Sequence, residues 1–236
     1  MRITQVADSV YVVAGTNVNW SLVTDGSGVT LVDAGYPRDT DDVLESIRQI
    51  GHDLGDLAAV LVTHAHLDHI GAIPTLVRRT GVPVYTGAAE AAHARREYLE
   101  QVTPVEMVGL LRTPGGPRWV AQTVRAVVGH IKMKVPTATA YDDDTLRALP
   151  GGFTAVPTPG HTTGHTAYFL PDQQILFSGD ALVTGHPLLA TVGPQPLPTV
   201  FNHDEDLTRR TAQSLLDPAP RLIVPGHGEP EKPGAA

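Results

Sequence analysis

Three histidines and an aspartate stand within six residues in Thr63-His64-Ala65-His66-Leu67-Asp68-His69. Imidazole nitrogen and carboxylate oxygen are the ligands that zinc and similar divalent cations take. Four such donors buried without a cation would be costly and, if charged, would repel one another. The short apolar run at 58–62 reads as a buried strand. Residues 70–79 read as a helix closed by Gly81, with Pro74 in its first turns, where a missing N–H costs least. The cluster therefore lies on a strand-to-helix turn. In an extended segment His64 and His66 point the same way, and Asp68 and His69 at the helix start address an adjacent spot. The four donors converge on two neighbouring points.

Further donors recur only where strands end. His161 and His165 sit in Pro159-Gly160-His161-Thr162-Thr163-Gly164-His165, after a strand at 153–157. Asp180 closes Ser178-Gly179-Asp180 after a strand at 174–177, and His227 lies in Gly226-His227-Gly228 after a strand at 221–225. Strand ends on one edge of a sheet system open into one cleft. Asp33, at the end of a strand and beside Ala34-Gly35, reads equally as a partner that orients a ligand histidine or as a turn cap. His165 reads as a partner of the ligand loop. His186, His203 and Tyr36 read as packing or surface groups, and His52, His93, His130, Lys132 and Lys134 as surface.

The elements that must position these donors follow from periodicity. Residues 2–35 read as a β-meander, with turn chemistry at Asp25-Gly26-Ser27-Gly28. Helical spacing covers 39–50, 88–101, 119–131 and 204–216, with several helix breakers at 104–117. The stretch 87–150 reads as a long helical insertion between strands, a lid or a dimer surface. A strand at 166–170 joins that at 174–177 through Pro171-Asp172, and the residues from 229 on read as a frayed tail. The 236 residues are 42% hydrophobic and 18% charged, a globular composition, read as one domain over 1–236. A formal net charge of −8 argues against a nucleic-acid backbone as partner. No cysteine is present, so no disulfide or thiolate ligand exists. No stretch is long and apolar enough to span a bilayer, and the plain expectation is a cytoplasmic protein with a small-molecule substrate.

Taken together, THAHLDH at 63–69, PGHTTGH at 159–165, SGD at 178–180, PGHG at 225–228 and VDAG at 32–35 resemble the metallo-β-lactamase-fold superfamily of hydrolases. The resemblance implies a four-layer αββα sandwich of the α/β class with a metal cleft at one edge. It implies a first metal held by His64, His66 and His161, a second by Asp68, His69 and His227, and Asp180 bridging both. Two divalent ions are implied, zinc first, with iron or manganese as the other choices. His66 differs from the carboxylate of the diiron electron-transfer branch. Asp180 differs from the Cys or Ser of true β-lactamases. The remaining pattern is similar to glyoxalase II, lactonases and related hydrolases. It implies attack of water, activated between two ions, on an ester, thioester or lactone carbonyl, with Asp68 orienting the nucleophile. The same fold admits a mononuclear iron dioxygenase, as in persulfide dioxygenases, or a metal-binding module without turnover.

Overall fold

The computed structural model describes residues 1–217 and 219–233. Strands β1 (Arg2–Ala7), β2 (Val10–Ala14), β3 (Asn19–Asp25) and β4 (Gly28–Val32) form an antiparallel meander. β5 (Leu57–Leu61), β6 (Val84–Thr86) and β7 (Ala138–Ala140) extend it in parallel, giving one sheet in sequence order. Parallel neighbours need a crossover. Helix α1 (Thr40–Gln49) supplies it between β4 and β5, and α2 (Ile73–Thr80) between β5 and β6. Helices α3 (Ala88–Ala94), α4 (Pro104–Leu110) and α5 (Gly116–Val127) lie between β6 and β7. After α6 (Asp143–Ala148), a second sheet is built from β8 (Thr154–Pro157), β9 (Thr166–Leu170), β10 (Ile175–Gly179) and β11 (Leu222–Pro225), in the order β11-β10-β9-β8. Helix α7 (Glu205–Ser214) is the crossover to β11, which pairs with β10 in parallel.

The two-residue period of the strands sorts apolar side chains into layers. Along β5, Val60 faces α1 and α2 while Leu61 faces the second sheet. Trp20, Leu22 and Leu31 pack with Val43, Ile47, Ile73 and Leu76 of the helices. Val12, Val23 and Val32 meet Phe153, Tyr168 and Phe177 between the sheets. Leu176 and Ile223 point outward onto Ala212 and Leu215, the latter just past α7. Helices, sheet, sheet and helix make the four-layer sandwich, and strand ends on one rim carry the donors.

Several boundaries differ from the sequence expectation. Helix α2 begins at Ile73, because residues 70–72 are held to the strand end: Gly71 N–H bonds the Gly35 carbonyl and Ala72 N–H that of Ala34. Its stop is as expected, with Gly81 left-handed at φ 72°. Helix α3 ends at Ala94 rather than at 101, since Arg96 adopts φ 63° and sends its guanidinium to the Ala65 and Met133 carbonyls. Within the supposed breaker run, Thr103 caps α4 and exchanges bonds with Glu106, with Pro104 at the helix start. The insertion also contains β7 and α6. Glu231 pairs with Ile223 where a frayed tail was expected, and residues 234–236 of that tail lie outside the described residues. No helix among the described residues is long and apolar enough to cross a membrane.

Candidate metal centre

The strand ends bring all seven expected donors to one cleft. His64, His66 and His161 present three ring nitrogens to a common point, 3.1–3.2 Å apart. Beside them, Asp68 Oδ2 lies 3.9 Å from His69 Nε2 and 3.6 Å from His227 Nε2. Asp180 stands between the sets. Its Oδ2 is 3.7 Å from His64 Nε2, 3.6 Å from His161 Nε2 and 3.1 Å from His227 Nε2, and its Oδ1 is 3.5 Å from His69 Nε2. The first sheet supplies residues 64–69, and the second supplies His161, Asp180 and His227. Close approach is needed at Gly226, where a Cβ would stand 2.2 Å from Asp180 Oδ1 and 2.9 Å from His69 Cε1.

Each of the five histidines spends one ring nitrogen on a fixed acceptor, which turns the other inward. His69 Nδ1–H donates to Asp33 Oδ2 at 2.8 Å. Asp33 also accepts from Thr63 N–H and Oγ1–H, and Thr63 Oγ1 in turn accepts from His64 Nδ1–H at 3.1 Å. Asp33 is thus the orienting partner, not a cap, held at φ 58°. His66 uses the opposite nitrogen, with Nε2–H on the Glu100 carbonyl at 2.8 Å and Nδ1 inward. His161 Nδ1–H donates to Asn202 Oδ1. The amide of Asn202 is fixed by its NH₂ on Glu205 and the Leu197 carbonyl. His227 Nδ1–H donates to the Asn17 carbonyl. His165 accepts the backbone N–H of Asp180 on Nε2 and bonds Thr158 through Nδ1, so it steadies the loop that carries Asp180.

Two polar atoms in this cleft, His69 Nε2 and Asp180 Oδ1, are buried without a hydrogen-bond partner. A buried donor or acceptor so placed costs about 1–3 kcal/mol unless something satisfies it. A cation between them does so. The spacing fits: zinc–nitrogen bonds of about 2.0–2.1 Å in tetrahedral geometry place ligand nitrogens about 3.3 Å apart. Charge fits too. Burial, reinforced by neighbouring imidazoles, drives His64 and His66 well below the usual histidine range, and burial lowers His161 against the pull of Asp180. This favours the neutral form that a metal ligand needs at these three. At His69 and His227 burial pulls the same way, but Asp180 and its neighbouring carboxylates outweigh it and draw both above the usual range, so an ion on that side would displace their protons. Burial opposes ionisation of Asp180, but His227 and His69 outweigh it and hold its carboxyl well below the usual range. The donor set of five imidazoles and two carboxylates suits borderline divalent ions.

Sequence reasoning missed the second layer of this site. His93, read as a surface group, is fully buried. Its Nδ1–H donates to Glu90 Oε1 at 2.7 Å, and its Nε2 accepts from Glu100 N–H, whose carbonyl holds His66. The correction has a physical cause: α3 lies across the donor loops rather than on the surface. Glu90, also fully buried, accepts from Ala65 N–H and Thr162 Oγ1–H, tying the 64–69 turn to the 159–165 loop. The i, i+3 spacing of Glu90 and His93 on a helix was the one available signal. His186, read as bland, packs 5.2 Å from His227 and against Trp119 and Phe201. Tyr36 is buried and faces the cleft. His52 is half-buried on Asp56, whereas His130, His203, Lys132 and Lys134 lie at the surface, as expected. A cavity of about 550 Å³ opens over the donors, walled by α4, α5 and the 197–201 segment.

Comparison with known proteins agrees with this geometry. The chain is 27% identical over 221 residues to "Probable metallo-hydrolase YflN" of Bacillus subtilis, covering 89% of this chain and 78% of that protein. It is 29% identical over 169 residues to a hydroxyacylglutathione hydrolase of Albidiferax ferrireducens, covering 70% of this chain and 48% of that one. In fold it is similar to a Cronobacter sakazakii metallo-beta-lactamase with an HARLDQ motif, at a TM-score of 0.67 and 21% identity over 97% of this chain and 78% of the other. The model of the metallo-beta-lactamase superfamily matches residues 13–227, which span all seven donors, and the chain belongs to that superfamily.

Proposed function

We propose that the protein is a binuclear, metal-dependent hydrolase of carbonyl substrates, acting on an ester, thioester or lactone. The observation that carries this reading is the pair of adjoining donor sets, His64-His66-His161 and Asp68-His69-His227, with the Asp180 carboxylate 3.1–3.7 Å from members of each and His69 Nε2 and Asp180 Oδ1 buried without a partner. His64, His66 and His161 would hold one ion, Asp68, His69 and His227 the other, and Asp180 both. Ions held there, zinc first and iron or manganese as alternatives, would supply acidification of a water and polarisation of the carbonyl oxygen. The chain's own groups do the rest. Asp68 is the partly exposed carboxylate of the set and lines the cavity, so it can orient the attacking water and take its proton. Asp33, Asn202 and the Glu100 carbonyl hold the ligand rings in their inward tautomers. The buried Tyr36 phenol, raised well above its ordinary range by burial and by Asp68, remains a neutral donor beside the reacting group. Relatives named as metallo-hydrolases and hydroxyacylglutathione hydrolases support the reaction class.

The test is elemental analysis of purified protein together with a panel of esters, thioesters and lactones, on wild type and Asp180→Ala. Two ions per chain are expected, with metal-dependent turnover. Asp180→Ala should lose at least one ion and about a hundredfold or more in rate, since even an outer partner of a ligand is worth about 10–100-fold. One iron per chain with dioxygen consumption, or full loading without hydrolysis of any panel member, would overturn the assignment.

A further inference from the structure

The cavity above the donors has a chemical character of its own. Helix α4 faces it with Met107 and Val108, and Leu111 follows one turn on from Val108; α5 faces it with Trp119, Val120, Val124 and Val127. These positions recur at three- and four-residue spacing, so each helix turns one apolar face to the same space. In a folded protein such faces normally pack on a core. Here Val108 is 61% exposed, Val124 51% and Leu111 46%. The apolar wall is continuous with the donors, because Trp119 packs on His186, which packs on the ligand His227. Neither lysine nor arginine is among the residues lining the cavity. Among the described residues no cationic lysine or arginine side chain is placed there to pair with a carboxylate or phosphate at the far end of a substrate.

We infer that the substrate carries an uncharged, extended aliphatic acyl chain, whose carbonyl lies at Asp68 and Asp180 while the chain runs outward between α4 and α5. This rests on the hydrolase reading above. The volume, about 550 Å³, suits a ligand of that size, since pockets for drug-sized molecules run from about 300 to 1,000 Å³. In the reaction the oxygen of water bonds to the acyl carbon. The bond from that carbon to the alcohol oxygen or thiol sulfur breaks, and the leaving atom departs with a proton. The aliphatic chain takes no part in the bond changes and contributes by burial alone.

Two measurements on the zinc-loaded protein test this. The first is kcat/KM for a series of neutral straight-chain ethyl esters of rising acyl length. Each added methylene should raise it by about two- to fourfold until the cavity is filled, the upper value being full burial of one methylene. The second reads binding without turnover: titration with straight-chain 1-alkanols, followed by the fluorescence of Trp119. Affinity should rise with length by a similar factor, and Trp119→Phe should remove the signal, because the other tryptophan, Trp20, is buried in the helix-facing core. Val124→Lys should lower the ratio of long-chain to short-chain kcat/KM by about tenfold or more. Turnover of short esters with neither trend overturns this inference and leaves the hydrolase reading standing. Length-dependent alkanol binding without hydrolysis of any ester, thioester or lactone overturns the hydrolase reading and leaves the chain-binding cavity standing. Absence of both trends in a stable dimer that Val124→Lys splits would reassign the apolar faces to contact with a second copy.

Discussion

The smallest unit of this site is a histidine whose outer nitrogen is already spoken for. Asp33 serves two ligands at once, His69 directly and His64 through Thr63. Asp33→Asn replaces an acceptor of three donors by an amide that brings donors of its own. Metal affinity is expected to fall about 10–100-fold, read by competition with a chromogenic chelator. Unchanged affinity in a folded variant would remove the orienting role. His186 makes a second prediction at this scale. In the protein without bound ions, burial, with a protonated His227 added and Asp180 opposing, pushes it down to about 3. An unfolded chain returns it to about 6.5. Below that value the unfolded state takes a proton that the folded state refuses, so the contribution is whole above about pH 6.5 and drains away as the pH falls towards 3. His186→Phe should flatten the dependence of unfolding free energy on pH between 6.5 and 4.5, by up to about 1.4 kcal/mol per pH unit. Equal slopes by denaturant titration would contradict it.

At the scale of elements, α3 behaves as a brace. Glu90 joins the first donor turn through Ala65 N–H to the second donor loop through Thr162. Glu90→Ala leaves those groups and His93 Nδ1–H buried without an acceptor. A loss of about 2–5 kcal/mol in stability is expected, and a loss below 1 kcal/mol would show that water or relaxation replaces the carboxylate. This brace marks where the sequence ceases to be readable. The convergence of the donors was legible because donor residues fall at the ends of β-rich runs, a local pattern that carries long-range meaning once strand ends share a rim. Asp33 was half legible for the same reason. Asn202, Asn17 and Glu100 act through contacts made only after folding, two of them through backbone carbonyls, which leave no mark in residue type. Helix α4 carried its cap, Thr103-Pro104-Val105-Glu106, in plain view, yet its proline read as a break. β7, three residues of Ala-Thr-Ala at the sheet's edge, has neither length nor apolar alternation to announce it.

Across the whole molecule, the site is a joint between sheets. Residues 64–69 follow β5 in the first, while His161, Asp180 and His227 belong to the second. A cation held by both closes that joint only in the folded state, so loading should stabilise by mass action, about 2.7 kcal/mol at a hundredfold excess over Kd. Chelation should then lower Tm by about 5–10 °C and zinc restore it; a Tm indifferent to chelator would mean that the donors do not share an ion across the sheets. The gap between the two ligand groups is fixed by what is wedged between the sheets: Phe153, Tyr168 and Phe177 against Val12, Val23 and Leu61. Those rings work as a shim. Thinning or thickening it by a methylene is expected to change the distance between the two donor groups, and with it the size of ion that they would accept.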